Sequence, residues 1–242
     1  MIRRSKVIGG IALALVLSLQ FFSFAVLAED TLLVKKNGLA EKHIALTFDD
    51  GPHGEYTDII LDILKENDIK ATFFVIGENI ASHPEKIKRI HEEGHEIGNH
   101  TFTHVYISKS DKDKILKELK DTDDAIYSVT GIRPKIFRPP GGLFTEKSIS
   151  YVKSLGYECI LWSVDTRDWS LPGTEKVIST VMNETAGGDI ILFHDFNQKG
   201  SPTPEAVRRL IPMLKEKGYS FVTVSELLSI KKDDDSKDVG AE

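Results

Sequence analysis

The chain contains a single cysteine, Cys159, so no disulfide can form within it. Cys159 opens the apolar run Cys159-Ile160-Leu161-Trp162 and reads as a buried core residue. A small disulfide-stapled scaffold is therefore excluded, and an exported chain of this kind fits a bacterial route better than a eukaryotic one. Excess positive charge is also lacking: the formal net charge is −6. A chain this acidic has no electrostatic footprint for nucleic acid, so no nucleic-acid partner is expected. No internal repeat is visible. The only long apolar run lies at the N-terminus.

That run belongs to residues 1–28. Arg3, Arg4 and Lys6 form a basic start, Val7 to Leu19 is apolar, and Val26-Leu27-Ala28 offers a cleavage site. The pattern is that of a signal peptide. An uncleaved anchor is the competing reading, because Val7 to Ala28 is long enough to cross a bilayer. In either case the bulk of the protein lies outside the cytoplasm, secreted or at the cell surface. Losing the segment also removes its three cationic side chains, which takes the net charge from −6 to −9.

The rest of the 242 residues has the composition of an ordinary globular domain, 40% hydrophobic and 28% charged. Residues 29–42 are polar and mixed, and read as a linker. Residues 43–230 read as one catalytic domain. Residues 231–242 are a charged tail expected to be disordered. Within the domain, apolar strand-like runs end at Asp49-Asp50, Ile76, Gly98, Phe137, Val164, Phe193 and Val224. Helical patterns separate them, at Tyr56–Asn67, Pro84–Glu93, Ser110–Val129, Thr145–Leu155, Thr174–Thr185, Pro204–Lys217 and Ser225–Ile230. Such alternation predicts an α/β fold with a parallel sheet, a distorted (β/α)7-type barrel. An open doubly wound sheet is the alternative.

The chemically interesting residues follow the predicted strands. The first strand delivers Asp49-Asp50, another His100-Thr101-Phe102-Thr103-His104, and others Arg138, Asp165 to Trp169, and His194. In a parallel barrel these strand ends share one face. Taken alone, Asp49-Asp50-Gly51-Pro52 also reads as a capping loop. His100 and His104, four apart, can meet one metal ion; with one carboxylate they leave an open coordination position of the catalytic kind. The same set suits zinc or iron. Nearby, His91-Glu92-Glu93-Gly94-His95 matches the zinc-protease pattern H-E-x-x-H. That motif needs a continuous helix, and Gly94 is a helix stop, so a protease is rejected.

Five segments in order resemble the motifs of the NodB-homology polysaccharide deacetylases: T-F-D-D-G-P at 47–52, H-T-F-T-H at 100–104, R-P-P-G-G at 138–142, D-T-R-D-W at 165–169 and L-F-H at 192–194. The resemblance implies that Asp50, His100 and His104 hold a divalent metal, zinc first, with cobalt or iron as alternatives. It implies Asp49 as general base, Arg138 as its partner, His194 as general acid and Asp168 as the residue that raises the His194 pKa. It makes Trp169 and Leu192 walls of the acetyl pocket, and the backbone N–H of Gly141 an oxyanion donor. The implied partner is an acetylated polysaccharide, peptidoglycan N-acetylglucosamine before chito-oligosaccharide, and the expected form is a monomer. An acetyl-xylan esterase and an idle carbohydrate-binding protein are the alternatives. Trp162 reads as core.

Overall fold

The computed structural model describes residues 33–195 and 200–231. The export segment expected at 1–28 and residues 232–242 of the tail lie outside the described residues. No helix among the described residues is long and apolar enough to cross a membrane.

Strands and helices alternate as β1 (His43–Asp49), α1 (Tyr56–Glu66), β2 (Thr72–Val75), α2 (Gly77–Ser82), α3 (Pro84–Glu92), β3 (Glu96–Asn99), α4 (Lys112–Thr130), β4 (Ile136–Phe137), α5 (Glu146–Ser154), β5 (Glu158–Cys159), β6 (Val164–Asp165), α6 (Thr174–Glu184), β7 (Ile190–His194), α7 (Thr203–Glu216), β8 (Ser220–Phe221) and α8 (Val224–Ser229). Side chains close several helix starts. Asp111 accepts the Lys114 N–H ahead of α4, and Thr145 and Thr223 form capping boxes ahead of α5 and α8. The strand pairings are parallel, in the order β5-β4-β3-β2-β1-β7-β6, with β8 on the first half of β1. This is the α/β architecture that the alternation predicts, with parallel strands in a distorted barrel.

Period-two alternation decides which side chains meet the helices and which meet each other. Along β1, Ile44, Leu46 and Phe48 join the large cluster beneath α1, α3, α6 and α7. Ala45 packs in a second, smaller cluster with Phe74, Ile136, Ile160 and Ile190. Thr47 and Asp49 share the alternation of Ala45, not of Phe48. On β7, Ile191 and Phe193 go outward while Ile190 goes inward, which places Leu192 and His194 on the inner side. Burying one such aliphatic or aromatic side chain contributes about 1.5–3 kcal/mol. The outer residues therefore hold the register that aims the inner ones.

The structure differs from expectation at three places. The strand expected over Tyr157–Val164 is two short strands at opposite ends of the ladder, β5 on β4 and β6 on β7. Its backbone changes partners between them: Ile160 N–H donates to Phe137, Leu161 N–H to Val34, and Ser163 N–H to Ile190. A continuous apolar run marks burial, and here it is buried while crossing between the two ends of the ladder. The segment expected as a linker is partly built into the fold. Val34 bridges Ile160, Lys36 bridges Asp189, and the Asn37 amide donates to the carbonyls of Leu227 and Ile230. Finally, α2 was not expected, because six residues are too few to show helical periodicity.

Candidate active site

The end of β1 divides two adjacent carboxylates. Asp49 still belongs to the strand and is 3% exposed. Asp50 turns out of it with φ +75. Thr101 and His104 also have positive φ, +65 and +56. Non-glycine residues in this region cost of order 1–3 kcal/mol each and persist where the surroundings over-determine them, often at functional sites.

The turn at Asp50 brings its Oδ1 to 3.3 Å from His100 Nε2 and 3.2 Å from His104 Nε2. Ligand atoms of these three residues lie within 4.8 Å of one another. His100 Nδ1 is 2.8 Å from the carbonyl of Arg138. A carbonyl only accepts, so Nδ1 carries the proton, and the neutral ring presents a bare lone pair at Nε2. Asp50 Oδ1 is buried without a hydrogen-bond partner. An anionic oxygen facing imidazole lone pairs at this distance needs a positive charge between them, supplied by protons on the rings or by a metal ion. The residues therefore fit a metal ion. The electrostatics express the same demand: burial would raise Asp50, but the two imidazoles hold it below the carboxylate range, and Asp50 in turn raises His104 against its burial.

Beside this set lies a buried ion pair. Arg138 is fully buried, and its Nη1 donates to Asp49 Oδ1 at 2.6 Å and to Thr47 Oγ1 at 2.8 Å. Nη2 donates to the carbonyl of Leu161 at 3.1 Å, and the guanidinium lies 4.0 Å from the Phe74 ring centroid. Thr47 sends its own hydroxyl to the Ile191 carbonyl. Asp49 is thus gripped from one side while its Oδ2 stands 3.8 Å from His100 Nε2.

His194 is the register partner of Asp49 on the neighbouring strand. Its Nδ1 is 2.7 Å from Asp168 Oδ1, and its backbone N–H donates to Asp168 Oδ2 at 2.9 Å. Asp168 also accepts the Trp169 N–H and the Thr203 hydroxyl. Burial works against a charged imidazole here, but the Asp168 bond, with Asp49 and Asp50 nearby, outweighs it and raises His194 to about 9.

These groups line one cavity of about 360 Å³. Gly141, Trp169 and Leu192 line it, as do Asp49, Asp50, His100, His104 and His194. Arg138 and Asp168 stand behind, each touching a lining residue. Trp162, expected in the core, packs against the inner cluster and lines the cavity as well. Asp165 also lines it, and its Oδ1 accepts the Arg167 N–H. The protease-like histidines do not meet. His91 lies on α3, whereas Gly94 (φ +79) ends that region and His95 turns inward before β3, accepting the Ala71 N–H.

Sequence reasoning missed two residues at the site. Tyr106 lines the cavity two residues beyond His104. Asp195 is buried behind it; its N–H donates to the Asp49 carbonyl, and its Oδ2 accepts the Thr57 hydroxyl. A side chain at Gly51 would put Cβ 2.2 Å from that carboxylate. An aspartate directly after His194 was readable as a signal, but its inward aim was not.

A family model described as polysaccharide deacetylase matches residues 36–160. A peptidoglycan-N-acetylglucosamine deacetylase of Bacillus cereus is 42% identical over 193 residues, covering 79% of this chain and 90% of that protein. Among solved structures, a peptidoglycan N-acetylglucosamine deacetylase in complex with a naphthyl N-hydroxybenzamide superposes with a TM-score of 0.79 at 34% identity, covering 83% and 94% of the two chains. A family 4 acetyl xylan esterase from Clostridium thermocellum, in complex with a cobalt ion, gives 0.74 at 37% identity, covering 78% and 92%. A parallel barrel with two histidines and an aspartate beside a buried Asp–Arg pair, matched over most of its length by these proteins, belongs to the polysaccharide deacetylase family.

Proposed function

We propose that this protein is a metal-dependent hydrolase that removes N-acetyl groups from an amino-sugar polymer, with peptidoglycan N-acetylglucosamine as its substrate. The observation that carries the reading is the pairing of Asp49 and His194 in register on neighbouring strands, each held from behind, in the cavity that a two-histidine, one-carboxylate set also lines. Binding a sugar requires no such division of labour. The B. cereus relative supports the substrate.

Asp50, His100 and His104 would hold the metal, zinc before cobalt or iron, as a hydrolytic site with an open coordination position favours. When bound, a divalent cation supplies Lewis acidity that eases proton loss from water and draws charge from the acetyl carbonyl. Asp49 accepts the proton of the attacking water, kept in place by Arg138. His194, cationic through Asp168, gives its Nε2 proton to the departing sugar amine. The Gly141 backbone N–H donates to the developing oxyanion. Leu192 and Trp169 enclose the acetyl methyl group. Attack forms a C–O bond and breaks the C–N bond, giving acetate and a free amine. The protein is read as exported by its N-terminal segment to act on the cell wall, as a monomer.

Asp49→Asn tests the mechanism. Deacetylation of peptidoglycan or glycol-chitin should fall by about 10²–10⁴-fold while metal binding persists, and near wild-type turnover rejects the mechanism. The acetyl xylan esterase neighbour favours a second reading, cleavage of O-acetyl groups. Turnover of acetylated xylan without turnover of acetylated amino-sugar polymers would establish it instead.

A further inference from the structure

We propose that Tyr106 is a substrate-binding residue, the stacking platform for the sugar unit next to the one being deacetylated. The inference rests on the functional reading above and extends it from the reacting acetyl group to the polymer.

Tyr106 lies two residues past His104, and its ring centroid is 6.0 Å from that of His104 at an interplanar angle of 64°. The position of the ring is thus tied to a candidate metal ligand. Tyr106 is 40% exposed, yet it lines the same cavity as Asp49 and His194. The space beside it is set by Gly141, whose φ is +62. A Cβ there would come within 3.2 Å of Tyr106 Cε1, so a side chain at 141 would compete with the ring for the cleft.

The same cavity is also lined by Trp169, 54% exposed, which follows the partner of His194. Two exposed aromatic residues therefore line one small cavity, one joined to the metal-ligand loop and one to the acid side. An acetyl group needs only a small apolar pocket. A β-linked pyranose presents flat faces of C–H groups with its hydroxyls turned to the rim, and such a face matches an aromatic ring. The continuity of Tyr106 with the cavity of the reacting groups makes the occupant a flanking unit of the same polymer.

Metal-loaded wild type, Tyr106→Ala and Tyr106→Phe are compared on an N-acetylglucosamine pentamer and on 4-nitrophenyl acetate, which has no flanking sugar. The ratio of kcat/KM on the pentamer to that on the ester should fall about 5–10-fold in Tyr106→Ala, chiefly through KM. Tyr106→Phe should keep the wild-type ratio. An unchanged ratio in Tyr106→Ala overturns the proposal, since damage to the metal-ligand loop would lower both activities together. A fall in Tyr106→Phe as large as in Tyr106→Ala also overturns it, because the hydroxyl and not the ring would then bind. Wild type that cleaves the ester but no acetylated glycan overturns the functional reading, and this inference with it.

Discussion

The carbonyl oxygen of Arg138 accepts the Nδ1–H of His100 at 2.8 Å, while the guanidinium of the same residue holds Asp49. One residue at the end of β4 thus orients a candidate metal ligand through its backbone and the candidate base through its side chain. The two roles are separable by mutation.

Arg138→Met should leave the His100 contact, which is made by the main chain, and remove the grip on Asp49. Metal affinity is expected to change less than in His100→Ala, while activity falls sharply. Stability should drop by about 3–5 kcal/mol, because a buried charge loses its partner. Denaturant unfolding and a metal titration on the same variant check both halves.

Removing the metal should lower thermal stability as well as activity. Ligand at about 100 times its Kd stabilises by about 2.7 kcal/mol. Calorimetry with and without chelator should show a Tm shift in wild type and none in Asp50→Asn, whose Oδ1 joins both imidazoles. A Tm shift of wild-type size in Asp50→Asn would remove it from the ligand set.

Proton donation by His194 requires its protonated form, so kcat/KM should fall as pH rises through its pKa. The Asp168 bond raises that value, to about 9 in the protein alone, and a bound cation would offset the share that comes from Asp49 and Asp50. Asp168→Asn keeps the shape and removes the charge. Its alkaline limb should move about one to two pH units toward acid. The corresponding stability is present below the unfolded histidine value and is lost as pH rises through the folded one. An alkaline limb that stays in place would assign the proton to another group.

Asp195 carries the opposite consequence. Burial holds it up to about 7 despite the Thr57 bond, with Asp50 and Asp49 adding to the rise. A carboxyl raised in this way favours the fold below its unfolded value near 4, and that advantage disappears as pH climbs through 7. Asn has no such dependence. In chelated protein, Asp195→Asn should therefore gain on wild type by about 2–3 kcal/mol between pH 5 and 8. Parallel stability curves would show that the aspartate is charged throughout.

Much of this arrangement was legible in the chain itself. The strand ends at Asp49, Phe137 and Phe193 follow from apolar runs closed by polar or turn residues. Period-two alternation then puts Asp49 on the opposite side from Phe48, and His194 from Phe193. The helix stop at Gly94 was enough to set aside the protease-like histidines. Where apolarity was continuous, as over Tyr157–Val164, the pattern could not say which strand each residue would pair with. That depends on neighbours far away in sequence.

Local sterics and periodicity were enough for most of the elements, for their alternation and for the chemical types at each strand end, but not for α2 or for the division of Tyr157–Val164 into β5 and β6. Only the tertiary structure decided that Asp50 and His104 take left-handed backbone, that Val34 meets Ile160 between the ends of the ladder, and that Tyr106 and Asp195 reach the site. Each of these depends on contacts between segments that share no local pattern. They come within bonding distance once the outer apolar faces have packed and drawn the strands around one interior.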